Sequence, residues 1–256
     1  MFDADRVREG LASTRFARLS YVRETDSTNE DAAHVLGMAA GGAVFLAEYQ
    51  RHGRGRRGRQ WVAPEGSALL FTAVLPEPLE TAALWAVPFW SALAVADAVY
   101  AAAGRALTLQ WPNDLLLGGR KVCGILSTSR VTGKSAWAAC GIGLNVIRPA
   151  DPGAEVDPRA AYLSDTGTAL AREELLVAIV RALDASLPAL RTPRGVAERW
   201  ERRAGLPGTP YRILAESSTE PFDAQALRLG PEGELVVAAA GGERSIALGE
   251  ARVLRD

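Results

Sequence analysis

The chain has 256 residues, a net charge of −1 and a pI near 6.2. That length allows one large domain or a medium domain with a small one. The near-neutral charge excludes a broad basic face for nucleic acid, and 48% hydrophobic against 23% charged residues is the balance of a soluble globular protein.

Residues 1–13 predict a short helix around Val7 and Leu11, and residues 18–23 a strand. Ser27 followed three residues later by Glu30 fits a capping box, opening a helix that runs to about residue 38 and stops at Gly41-Gly42. Residues 43–49 read as a buried strand. The segment Gln50-Arg51-His52-Gly53-Arg54-Gly55-Arg56-Arg57-Gly58-Arg59-Gln60-Trp61 follows, with five arginines and three glycines. Residues 67–75 form another strand, ended by Pro76 and Pro78. Residues 81–103 read as one long helix whose start Pro88 kinks or delays. Pro88, Ser91 and Asp97 mark it as a buried helix rather than a membrane span.

Residues 106–111 form a strand, Pro112-Asn113-Asp114 turns the chain before residues 115–117, and Gly118-Gly119 makes a hairpin into a strand over 121–128. After a turn at Thr132-Gly133-Lys134, the strand over 136–146 carries Gly141 and Gly143, which mark a close backbone approach. A polar loop over 148–162 precedes an amphipathic helix over 172–190, built on Leu175, Leu176, Ile179, Leu183 and Leu187. The composition changes near Gly205-Leu206-Pro207-Gly208. Residues 211–215, 224–229, 235–240 and 246–254 are then short strand-like runs of a small β-barrel or sandwich. The predicted fold class is α+β: a mainly antiparallel or mixed sheet with packed helices over residues 1–205, and a small β domain over residues 206–256. No G-x-G-x-x-G or Walker A sequence supports a doubly wound alternative.

Glycines let the loop over 50–61 wrap a ligand closely, and arginines supply permanently charged forks for phosphate and carboxylate. Alone, this anion cradle does not separate ATP from RNA or a phosphosugar. Trp61 is expected to pack in the core beneath it. Only Lys121 and Lys134 are lysines among 29 basic residues, which draws attention to Lys121. Cys123 and Cys140 lie in apolar runs and read as reduced core residues. His34 and His52 have no Ser or Cys partner for a hydrolase triad. No signal-peptide pattern is visible, and the cytoplasm is the expected compartment.

Thr25-Asp26-Ser27-Thr28-Asn29, Gly53 to Trp61, Trp111-Pro112-Asn113-Asp114, Arg120-Lys121 to Leu126 and Gly141 to Val146 occur in this order. In these motifs, which span residues 25 to 146, the chain resembles the biotin protein ligases, and the general pattern reaches Gly249-Glu250. The resemblance implies that biotin attacks the α-phosphate of ATP, with Mg²⁺, to give biotinyl-5′-adenylate and pyrophosphate. A lysine of a biotin carboxyl carrier domain then takes the biotinyl group and AMP leaves. It also implies an SH3-like barrel at the C-terminus. Lys121, Arg54 and Arg56 would be catalytic. Ser27, Thr28, Asn29, Gln50, Arg54, Gly55, Arg56, Lys121 and Gly124 would bind biotin, with Gly124 allowing close approach. Arg54, Arg56, Asn113, Lys121 and Asn145 would bind ATP. Asp114 either holds Mg²⁺ through water or only fixes its turn.

Gln110 stands where many family members carry lysine, and Cys123 where alanine is common. Twenty-four residues precede Thr25, too few for the winged helix of repressor members, so no specific DNA partner is expected, and no membrane partner either. Family members include homodimers, and no feature decides the state. Two competitors stay open: a lipoate or octanoate ligase or transferase of the same superfamily, and a non-catalytic biotin or adenylate sensor.

Overall fold

The computed structural model describes residues 2–38, 40–215, 218–248 and 251–254; the Gly249-Glu250 pair of the resemblance lies outside them. Helix α1 (Ala4–Leu11) starts at Asp3, whose carboxylate accepts from Arg6 N at 3.0 Å, and buries Val7 and Leu11 one turn apart. Strand β1 (Arg18–Thr25) leads into α2 (Thr28–Val35), β2 (Ala43–Gln50), β3 (Ala68–Val74) and the short β4 (Leu79–Glu80). Helix α3 (Val87–Ala103) is followed by β5 (Thr108–Gln110), β6 (Asp114–Leu117), β7 (Arg120–Thr132) and β8 (Ser135–Asn145). Helices α4 (Arg172–Ser186) and α5 (Pro193–Ala204) precede β9 (Pro210–Ala215), β10 (Phe222–Leu229), β11 (Leu235–Ala239), β12 (Gly242–Ile246) and β13 (Ala251–Leu254).

The large sheet runs β1-β2-β3-β8-β7-β6-β5, with β4 on β8. Only β1 and β2 pair in parallel; the other pairs are antiparallel, so the sheet is mixed as expected. Strand alternation separates its faces. Leu69, Phe71 and Ala73 of β3 join the main core with α1, α3, α4 and α5. Leu70 and Val74 point the other way, toward Trp61 and toward Ala32 and Leu36 at α2. This second face carries the functional cavity.

Several expected elements shift for identifiable reasons. Ser27 occupies the cap position of α2, but its side chain makes no capping bond: the Glu30 N–H donates to Ser27 O at 3.0 Å, and Gln50 Oε1 accepts from Thr28 N at 2.8 Å. The helix ends at Val35, because Leu36 is already extended at ψ 127°. The 81–103 segment divides into a 3-10 turn (Thr81–Ala86) and α3, with Pro88 in the first turn, where its missing N–H costs no bond. The 172–190 helix likewise ends at Ser186 and continues as a 3-10 turn (Leu187–Arg191). The sequence reading missed α5, whose buried Val196, Ala197, Trp200 and Ala204 are interleaved with arginines. It also merged the run over 246–254, which is the end of β12 and then β13.

The small sheet runs β12-β11-β10-β9-β13. This antiparallel sheet answers to the small β-barrel or sandwich that was expected, and among the described residues no pairing joins β12 to β13. It packs against the large sheet through Trp111, just after β5, which is fully buried. Trp111 N donates to Tyr211 Oη at 3.1 Å, and the Trp111 indole donates to Gly233 O at 3.1 Å. The segment that carries Asn113 and Asp114 is thereby tied to the small sheet.

Candidate active site

A cavity of about 260 Å³ lies on the α2 face of the sheet. Ser27, Thr28, Asn29, Gln50, Arg54, Gly55, Arg56, Asn113, Lys121, Gly124 and Asn145 all line it, so of the expected site residues only Asp114 is off its wall.

One group of side chains is neutral and polar. Ser27, Thr28 and Asn29 are buried at the start of α2. Gln50 Oε1 lies 2.8 Å from Thr28 N and 3.1 Å from Thr28 Oγ1. Thr72 Oγ1 lies 2.9 Å from both Thr28 Oγ1 and Asn29 Oδ1, and Asn29 Nδ2 donates to Leu126 O at 3.1 Å. Thr72 escaped the sequence reading because it sits inside an apolar strand. Gly141 makes room for this network: a Cβ there would meet Asn29 Oδ1 at 2.2 Å.

A second group is cationic. Lys121 Nζ pairs with Asp114 Oδ1 at 2.6 Å and stands over the Trp61 ring, 5.2 Å from its centroid. Asp114 therefore holds the lysine. Among the described residues no three His, Cys, Asp or Glu side chains gather as a metal site. Trp61 is half-buried: it packs against the small core cluster of Ala63, Ala68 and Leu70, as expected, and also lines the cavity wall. It rests on Gly124 and Gly143, which face each other across β7 and β8. A Cβ would meet its ring at 2.9 Å on Gly124 and 2.6 Å on Gly143. Gly124 thus admits Trp61 and Lys121 close to the backbone, and it also lines the cavity into which a ligand was expected to approach it.

The Arg-Gly loop is a small closed hairpin. Trp61 N donates to Gly53 O at 2.8 Å and Gly55 N to Arg59 O at 2.7 Å, with Arg54 and Gln60 bridged between them. Arg57 turns the tip at φ 60°. Arg54 forms an ion pair with Glu30 of α2. Arg56 Nη1 lies 3.5 Å from Asn113 Oδ1, and burial pulls its guanidinium below the usual arginine value. Asn113 Nδ2 donates to Ile125 O at 2.6 Å, and Asn145 Nδ2 to Ala161 O at 3.1 Å.

Glu155, Val156, Asp157 and Ala160 of the 148–162 loop complete the wall, which the sequence did not foretell. Asp165 clasps both ends of that loop. It accepts from Arg148 Nε at 2.6 Å, Arg148 Nη2 at 2.7 Å and Tyr162 N at 3.0 Å, and pairs with Arg120 at 3.1 Å. The Arg148 hydrogen bond leads in holding its carboxyl at about 2, against the ordinary 3.8. The stabilisation is therefore complete above the ordinary value and lost as pH falls through about 2. The gap in Tm between the wild type and Asp165→Asn is expected to stay constant from pH 7 to about 4 and to close toward pH 2, as read by calorimetry.

The model of the biotin/lipoate A/B protein ligase family matches residues 21–145. A biotin–[acetyl-CoA-carboxylase] ligase of Paracoccus denitrificans is 38% identical over 234 residues, covering 84% of this chain and 96% of that protein. The bifunctional ligase/repressor BirA of Escherichia coli (strain K12) is 30% identical over 193 residues, covering 74% of this chain and 60% of that protein. A solved structure of the biotin protein ligase from Aquifex aeolicus, in complex with biotin and ATP, has a TM-score of 0.75 at 24% identity, covering 93% of this chain and 99% of that one. At that identity the likeness speaks for the fold.

Proposed function

The chain belongs to the biotin/lipoate A/B protein ligase family, and we propose that its cavity performs both half-reactions of a biotin ligase. In the first, a biotin carboxylate oxygen bonds to the α-phosphorus of ATP and pyrophosphate leaves. In the second, the ε-amine of a lysine on a carboxylase carrier domain attacks the acyl carbon of the adenylate. AMP leaves with the bonding electrons, and the amine loses a proton as the amide forms.

The observation that carries this reading is the joining of two unlike groups in one cavity. The neutral set of Ser27, Thr28, Asn29 and Gln50 suits an uncharged urea, which needs donors and acceptors but no counter-charge. The cationic set suits two anions that repel each other. Lys121 and Arg56 would draw the carboxylate and the α-phosphate together, which is positioning and electrostatic work. Arg54 would exchange Glu30 for a phosphate oxygen, and Asn113 and Asn145 would flank the nucleotide. Asp114 is engaged by Lys121, so the described residues do not fit a resident magnesium site. Magnesium enters this reading only as part of the nucleotide substrate.

Biotin-dependent exchange of pyrophosphate into ATP tests the proposal. Exchange with biotin and none with lipoate or octanoate is the expected result; exchange with either acyl acid moves the chain to the competing branch of the superfamily.

The cysteines bear on that competitor. Cys123 is fully buried, and desolvation drives its thiol far above the usual range; burial likewise pushes the Cys140 thiol up to about 12. Neither can serve as an accessible thiolate for acyl transfer. Iodoacetamide at pH 8 should label neither in the folded protein and both after denaturation, read by mass spectrometry. We further assign the enzyme to the cytoplasm, where thiols stay reduced. The segment Thr81–Ala103 is long and apolar enough to cross a membrane, but it is largely buried in the core.

A further inference from the structure

Thr72 lies on β3 beneath α2, fully buried and behind the cavity wall. Leu126 O is a backbone carbonyl and can only accept, so the Asn29 amide must turn its nitrogen there, at 3.1 Å. Asn29 Oδ1 must then face Thr72 Oγ1, at 2.9 Å, and the single Thr72 proton goes to it. With that proton used, the 2.9 Å contact between Thr72 Oγ1 and Thr28 Oγ1 needs the proton of Thr28. Gln50 Oε1 also lies 3.1 Å from Thr28 Oγ1, and the Thr28 backbone N–H fixes that amide oxygen as an acceptor. Thr28 therefore has one proton and two internal acceptors for it. Wherever the proton sits, none is left for a ligand.

We infer that Thr72 is a positioning residue that, together with Gln50, keeps the Thr28 hydroxyl an acceptor, so that the site selects a ligand presenting a ring N–H at that point. The inference rests on the biotin reading, because a cyclic urea supplies such an N–H. A ring oxygen in its place would set lone pair against lone pair. Without the Thr72 hydroxyl, Asn29 Oδ1 loses its donor and the Thr28 proton keeps one internal acceptor, Gln50 Oε1 at 3.1 Å, which already accepts from the Thr28 N–H, so a ligand acceptor competes for that proton with one rival fewer.

The test pairs a protein change with a ligand change. The probes are biotin and its two isosteric cyclic carbamates, each with one ureido N–H replaced by oxygen, titrated calorimetrically into the full chain. The wild type is expected to bind the carbamate that sets oxygen against Thr28 roughly 100-fold more weakly than biotin, or worse. Thr72→Val should shrink that ratio about 10-fold and raise the biotin KM in pyrophosphate exchange while the ATP KM holds. Thr72→Ser should behave as wild type. A wild type that binds biotin and both carbamates alike overturns the role of Thr72 alone, and this comparison needs no variant to fold. An unchanged ratio in a folded Thr72→Val overturns it as well. Failure of the wild type to bind biotin overturns the reading of the cavity, and this inference with it.

Discussion

Lys121→Ala is expected to lower biotin-dependent pyrophosphate exchange by about 10²- to 10³-fold, the loss typical of removing one preorganised charge from a developing anion. Lys121 is held at both ends. Its ammonium is fixed by Asp114 at 2.6 Å and lies over the Trp61 ring. Its stem runs so close to β7 that a Cβ on Gly124 would meet Cε and Nζ at 3.2 Å. Little reorganisation is then needed when carboxylate and phosphate meet there. Alanine also leaves Asp114 without this partner, so a fall in Tm accompanies the loss of rate, and rates must be normalised to folded protein. Lys121→Arg separates the two effects. It keeps the charge and should keep most of the stability, but a planar fork does not fit the space between Gly124 and Trp61, so activity should still fall by a comparable factor. Near-normal exchange by either folded variant removes Lys121 from the reaction.

The sequence displayed the site more fully than the contacts that build it. Lys121, Gln50, Gly141 and Gly143 stood out because each departs from its surroundings: a lysine in an arginine-rich chain, an amide at a loop mouth, glycines in a strand. What stayed hidden depends on register and on pairing across long separations. Thr72 is a polar residue at a buried position of β3, and only the packing of α2 reveals what it touches. Asp114 and Lys121 come together because Gly118-Gly119 turns β6 back onto β7, and the backbone gives no sign that the carboxylate serves the lysine. The expected capping box failed for a similar reason. The Glu30 N–H that a capping box would give to the Ser27 side chain goes to Ser27 O at 3.0 Å, while Gln50 arrives from the end of β2 to take the Thr28 N–H, and the Ser27 side chain stays on the cavity wall. Helix α5 was masked by charge, since four buried positions among arginines give a weak apolar signal. The polar edge strand β12 lacks the alternation that marks a half-buried strand.

Gly53→Ala is expected to reduce exchange by about 10²-fold or more, while Gly58→Ala changes it only a few-fold. The two glycines belong to the same loop and differ in what surrounds them. A Cβ on Gly53 would lie 2.3 Å from Trp61 O and 3.0 Å from Gln50 Nε2. The first of these is backbone, and no side-chain rotation relieves it. The neck closed by Trp61 N and Gly53 O would have to open, carrying with it the Arg54–Gln60 bridge and the placement of Arg56 beside Asn113. A Cβ on Gly58 meets nothing within 4 Å, so its cost is limited to the positive φ of 68°, about 1 kcal/mol at an exposed tip. Neither change reaches the core, so Tm should move little in both. Steady-state exchange and thermal melts of the two variants measure this directly. Equal losses would mean that the loop acts through its composition alone, as a mobile cluster of charge. A large loss at Gly53 with a small one at Gly58 means that it acts through a closed neck that aims Arg54 and Arg56.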